Sequence, residues 1–249
     1  MTMENIMKKL IFLLPVFISV NAGAEEITEP FPSSTRGIQY VSESQMNLPP
    51  GFNNETKKFR QEMKDNGYVY TISKGANELL NQKRDSIAQL RESDKIQNPY
   101  DTHLRRNLSD IKLSFTYPSL PSVASKDVIG YAASGSYTKE PGKPEGWNGI
   151  ATLFEHREMG SCVFHYDHII AAQIDKKKMH FKVNGKPGST IIEGTPKTGF
   201  FYDIIWYTDK TDKSSMTESS LECANRKFDR KIIDRMMEFA KTVDKNLKG

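Results

Sequence analysis

The stretch 149–172, GIATLFEHREMGSCVFHYDHIIAA, limits what the chain can fold into more than any other part of it. Two runs rich in β-branched and aromatic residues flank a short polar turn at 157–160, the pattern of a β-hairpin. Side chains alternate across a strand, so Cys162, Phe164, Tyr166 and His168 share one face of the second run. Val163, His165 and Asp167 share the other. On the first run, Ile150, Thr152, Phe154 and His156 fall on one face. A chain that buries this hairpin must build a sheet around it.

The flanking sequence continues in kind. Ile111, Leu113, Phe115 and Tyr117 alternate with Lys112, Ser114 and Thr116, which predicts a half-buried strand. Residues 128–137 read as another, bent near Gly130 and Gly135, and the Pro/Gly-rich 138–147 reads as a loop. Strands at 178–183 and 189–192 flank Asn184-Gly185, the dipeptide that suits a tight hairpin turn. GFFYDIIWY at 199–207 is apolar enough to predict a buried central strand. Strands at this spacing, joined by hairpin turns, predict a mainly antiparallel sheet. The lack of βαβ alternation argues against a doubly wound nucleotide-binding fold.

Helices are expected on both sides of this β body. Asn53 or Asn54 can cap a helix that runs to Asn66-Gly67, with Phe59 and Met63 on one face. Residues 68–72 read as extended. A second helix at 76–96 has only a thin apolar stripe of Leu79, Leu80, Ile87 and Leu90, and Asn98-Pro99 ends it. A short helix at 100–108 follows, with Leu104 and Leu108 at i, i+4 and His103 exposed. The C-terminus shows the clearest periodicity. Ser219 and Glu222 match a capping box. Leu221, Ala224, Phe228, Ile232, Met236, Ala240, Val243 and Leu247 then recur at i, i+3/i+4, predicting an amphipathic helix of about 28 residues with Cys223 in its first turn.

The expected fold class is therefore α+β. It comprises a helical N-terminal segment, a mainly antiparallel β body of six to seven strands, and a long amphipathic C-terminal helix packed on the sheet. In domain terms the reading is a signal peptide at 1–24, an extended Pro/Ser-rich arm at 25–52, a polar helical segment at 53–108 and an α+β domain at 109–249.

The leader reading rests on Lys8 and Lys9, the mostly apolar run 10–20, and Ala22-Gly23-Ala24 as a cleavage site near Ala24. The apolar run, at about 11 residues, is shorter than the roughly 20 that span a bilayer. No cysteine follows it to take a lipid anchor. The expected mature protein is bacterial, periplasmic or secreted, with neither a transmembrane segment nor a lipid anchor. Charge is nearly balanced, with 35 Lys+Arg against 31 Asp+Glu, so no nucleic-acid partner is expected. Cys162 and Cys223 are the 2 cysteines, and in an oxidising compartment a disulfide between them is expected. It would close a loop of about 60 residues, worth about 4 kcal/mol in the chain-entropy model.

Two kinds of chemistry can be weighed on 149–172. A cysteine nucleophile needs a base beside it. Cys162 and His165 lie on opposite faces, Cys162 and His168 are far apart along the strand, and only His156 could approach across the hairpin. A metal could draw on His156, His165, Asp167 and His168, but these are weak candidates, because three-residue spacing on a strand separates His165 from His168. The chain lacks HExxH, CxxC and phosphate-loop motifs. No catalytic residue, metal or cofactor is expected, and no binding residue is identified. The expected role is a non-catalytic structural or accessory subunit of a bacterial cell-envelope assembly, secretion machinery included, acting through contacts with other envelope proteins. Two rivals stand beside it. One is a periplasmic hydrolase or metal-binding protein using the His156/Cys162/His165/His168 region. The other is a small-ligand-binding β domain using Phe200, Phe201, Tyr202, Trp206 and Tyr207.

Overall fold

The computed structural model describes residues 37–42, 52–70, 77, 80–81, 83–85, 87–88, 103–117, 120, 127–139, 141–142, 144–169, 171–175, 179–209 and 216–246. The expected leader at 1–24, most of the expected arm at 25–52 and much of the expected helix at 76–96 lie outside these residues. In chain order the elements are β1 (Gly37–Val41), α1 (Phe52–Asn66), β2 (Val69–Tyr70), a 3-10 turn (Leu108–Asp110), β3 (Val128–Thr138), β4 (Gly146–His156), β5 (Gly160–Ile169) and β6 (Ala171–Asp175). They continue with β7 (Phe181–Val183), β8 (Lys186–Thr195), β9 (Gly199–Asp209), β10 (Met216–Asn225) and α2 (Lys231–Asn246). The mixed α/β content agrees with the sequence reading.

The main sheet has the order β2-β8-β9-β10-β5-β4-β3, with β7 also on β8. Two antiparallel meanders, β3-β4-β5 and β7-β8-β9-β10, are joined where β10 pairs with β5. The sheet is not wholly antiparallel. β2 runs parallel to β8, and β1 pairs parallel with β6 as a separate ribbon. The described residues thus form ten strands where six to seven were expected. The extra ones are short or lie in segments whose pairing is decided by distant partners, which local alternation does not record.

Hairpins fold where turn chemistry specified them. Asn184 (φ 47°) and Gly185 (φ 89°) take the left-handed pair of conformations that joins β7 to β8. Gly160, at φ 91°, closes the β4–β5 turn, where a Cβ would also approach the Ala224 carbonyl oxygen to 2.4 Å unless the backbone shifted.

The short helix expected at 100–108 is not found at 103–107, where Arg105 instead exchanges backbone bonds with Tyr131 of β3 at 2.6 and 2.7 Å. Two larger expectations are corrected as well. Residues 111–117 do not form a ladder strand. They run as an extended cover that, among the described residues, bridges through Leu113 to Trp147, with Ser114 N donating to Trp147 O at 2.9 Å. The alternation still has its physical meaning, since Ile111, Leu113, Phe115 and Tyr117 all lean on the main core. The larger correction is at the C-terminus. Residues 216–225 are β10, a central strand, and the helix is confined to Lys231–Asn246. Ser219 and Glu222 are therefore buried strand residues and not a capping box. Leu221 and Ala224 satisfy helical spacing, but β5 and β9 offer 216–225 a complete set of backbone partners on both sides. The helix instead starts after Asp229, whose Oδ1 accepts a bond from Lys231 N at 2.9 Å.

One face of the sheet is apolar and carries α2. Phe154, Phe164, Tyr202, Ile204, Trp206 and Leu221 form its core with Ile232, Met236, Phe239, Ala240 and Val243 of the helix. Phe154 stacks on Phe239, with ring centroids 5.3 Å apart. The β7–β8 turn clasps the far half of α2. Asn184 Nδ2 donates to Lys241 O at 2.7 Å, and the Lys186 ammonium pairs with the fully buried Asp244 carboxylate.

Candidate functional site

The hairpin residues singled out in the sequence do not converge. Cys162 lies directly across from Cys223 of β10, with the sulfurs 2.10 Å apart, which is disulfide distance. The pair staples two neighbouring strands inside the sheet, whereas the sequence reading placed Cys223 at the start of a helix. His156 is not opposite Cys162. Its partner in register is Gly160, and Phe154 occupies the place across from the cysteine. His156 Nδ1 accepts bonds from Glu158 N and Met159 N at 3.2 and 3.3 Å, so the ring organises the turn. His168 stacks on Phe115 at 4.4 Å on the apolar face. His165 points the other way, its Nε2 3.9 Å from Glu222 Oε2. Strand alternation thus keeps His165 and Asp167 apart from His168, and the hairpin turn keeps His156 apart from all three.

The aromatic run of β9 divides in the same manner. Phe200, Tyr202 and Trp206 belong to the apolar core. Phe200 meets Tyr68 and Phe228 at 5.0 and 5.4 Å. Tyr207 lies on the opposite face with Ile205, against Ala172 and Ile174 of the β1–β6 ribbon. The run does not line a single cleft.

What the register does bring together is a row of polar side chains on the face away from α2. Tyr207 of β9 opposes Glu218 of β10, Glu218 opposes Asp167 of β5, Asp167 opposes Gly149 of β4, and Gly149 opposes Ser134 of β3. Gly149 is essential to this row. A Cβ there would overlap the Asp167 carboxylate and come within 2.5 Å of Ser134 Oγ. With only hydrogen at that position, Asp167 reaches over β4, and Ser134 Oγ donates to its Oδ1 at 2.5 Å. One row along the same face, His165 opposes Ser220, and beyond that Asp203 opposes Glu222. Asp203, Glu222 and, on β8, Glu193 are all buried.

Carboxylates crowded on a protein wall lose hydration, and a neighbouring like charge disfavours ionisation further. Both effects act here. Burial pushes the Asp167 pKa up, partly offset by His165 and by the Ser134 bond. Burial and the neighbouring Asp167 charge push Glu218 up to about 7, against a pull downward from the Tyr207 hydroxyl. Tyr207 is itself held well above the ordinary phenol range by burial and by Glu218. Asp167 and Glu218 nonetheless keep partial solvent contact. They form the floor of a crowded surface, open enough to exchange protons with water.

Sequence reading found Asp167 and His165 but missed Glu218, Tyr207, Ser134 and the role of Gly149. The signal was present in TESSLECA at 217–224. Read with period two, it sets Ser219, Leu221 and Cys223 on one face and Glu218, Ser220 and Glu222 on the other. Among the described residues no group of three or more His, Cys, Asp and Glu side chains has an arrangement that could hold a metal ion. No helix among them is long and apolar enough to cross a membrane. No known protein family, curated protein or solved structure matches the chain.

Proposed function

We propose that the chain is an exported, non-catalytic structural or accessory subunit of a bacterial cell-envelope assembly, secretion machinery being one such setting, and that it works through contacts with other envelope proteins. The observation that supports this reading is how the reactive side chains of 149–172 are occupied. The Cys162 sulfur sits at disulfide distance from Cys223, His156 holds a turn, and His168 is stacked in the core margin. A cysteine hydrolase would need a free thiolate with a histidine within hydrogen-bond reach. The residue across from Cys162 in the hairpin is Phe154.

The test is crosslinking of the full chain in intact cells of its source, followed by mild extraction, sizing and mass spectrometry. A discrete crosslinked species containing other envelope proteins in fixed ratio is the expected result. Recovery of the chain as a lone monomer, with and without crosslinker, would contradict the reading.

A further inference from the structure

We infer that Asp167 and Glu218 titrate as a coupled pair across the β5–β10 seam and thereby make this end of the sheet responsive to pH. The geometry carries the inference. The two residues are direct cross-strand partners on one face, where opposed side chains approach most closely. A hydroxyl flanks each end of the pair, Ser134 donating to Asp167 and Tyr207 facing Glu218. A glycine clears the path on β4. Two carboxylates in such a place cannot both ionise without repulsion, and a proton on one of them removes it.

The charged and titratable groups that face the pair are few among the described residues. On β5 there is His165, whose positive form favours ionised Asp167. Glu222 on β10 lies toward His165, and Asp203 on β9 raises the Tyr207 pKa. From the β1–β6 ribbon, Tyr40 acts on Tyr207. Lys83 is engaged elsewhere, with Glu155 and Ser161. No lysine or arginine among the described residues is paired with Asp167 or Glu218.

The sign follows from linkage. Glu218 in the folded chain holds its proton to about pH 7, against 4.5 for a free glutamate. The folded state therefore binds more protons than the unfolded one between those values, and stability falls as pH rises through that window. The seam that loosens first is the β5–β10 end beside Tyr207 of β9, against which Ala172 and Ile174 of the β1–β6 ribbon pack.

The deciding experiment is carbon-13 NMR of the full chain, labelled at Asp and Glu side-chain carboxyls and titrated from pH 4 to 9. One glutamate carboxyl is expected to titrate near 7, with one aspartate signal responding in the same step, and Asp167→Asn is expected to move the glutamate midpoint downward. Titration of every carboxyl below pH 5, or a glutamate midpoint indifferent to Asp167→Asn, would overturn the inference. Amide exchange gives the consequence. Corrected for intrinsic chemistry, openings at 163–169 and 216–222 should rise by up to about tenfold per pH unit through the step, and Glu218→Gln should remove that rise. If Glu218→Gln does not fold, the titration of the unsubstituted chain still decides.

Discussion

The two faces of one sheet are built on opposite principles. Toward α2, alternate residues of β4, β5, β9 and β10 supply Phe154, Phe164, Leu221, Ile204 and Trp206, closed over by Met236, Phe239 and Ala240. Away from it, the intervening residues of β5, β9 and β10 supply Asp167, His165, Glu218, Glu222 and Asp203, set between the smaller apolar patches around Leu153 and Val163 and around Ile205 and Tyr207. The backbone is shared, so the difference lies wholly in side chains. The apolar face contributes stability by removing carbon from water, which is insensitive to pH. The acidic face costs stability unless its carboxyls are hydrogen-bonded or protonated. A core that holds the strands firmly is what permits such a face on the reverse side.

Substitutions on each face should break or sharpen that contrast. The largest effect is expected at Phe154, fully buried and stacked on Phe239. Phe154→Ala should cost about 3–5 kcal/mol in urea unfolding, equally at pH 5 and pH 8. Next is Asp244→Ala, which leaves Lys186 without its buried partner and should cost about 3 kcal/mol. Asn184→Ala keeps the ion pair but loses the Asn184 bonds to Lys241 O and Asp244 Oδ2 and places alanine at φ 47°, so it should cost less, about 1–2 kcal/mol. Gly149→Ala tests the acidic face. Its methyl displaces the Asp167 carboxylate from Ser134, and the expected cost is about 2 kcal/mol. A neutral result at Gly149 would show that Asp167 does not need to cross β4. The smallest effect is expected at His156. Its ring accepts only two long bonds at an exposed turn, and His156→Ala should cost about 0.5 kcal/mol or less.

Much of the apolar face was legible in the sequence. Alternation in 149–172 located β4 and β5, Asn184-Gly185 located the β7–β8 turn, and the apolar run at 199–207 located β9. The acidic face was not, for a physical reason. β10 is buried on both faces, one lined by Ser219, Leu221 and Cys223 and the other by acids and Ala224, so its polarity does not alternate simply. The accidental Ser219-x-x-Glu222 spacing then favoured helix. Without β10 in place, Glu218 has no register and Asp167 has no acidic neighbour across the seam. Pairing between residues so distant in sequence is decided by which backbone edges remain unpaired, and local propensity does not encode that. The same error moved Cys223 from a strand to a helix while leaving its pairing with Cys162 intact.

The central claim is that the reactive residues of the β4–β5 hairpin serve the architecture, and the bond between Cys162 and Cys223 tests it most directly. Peptide mapping by mass spectrometry, on protein alkylated before any reduction, should yield one linked pair of peptides containing these two cysteines. Alkylated free thiols at Cys162 and Cys223 in the protein taken from its native compartment would contradict it and reopen a nucleophilic reading of Cys162.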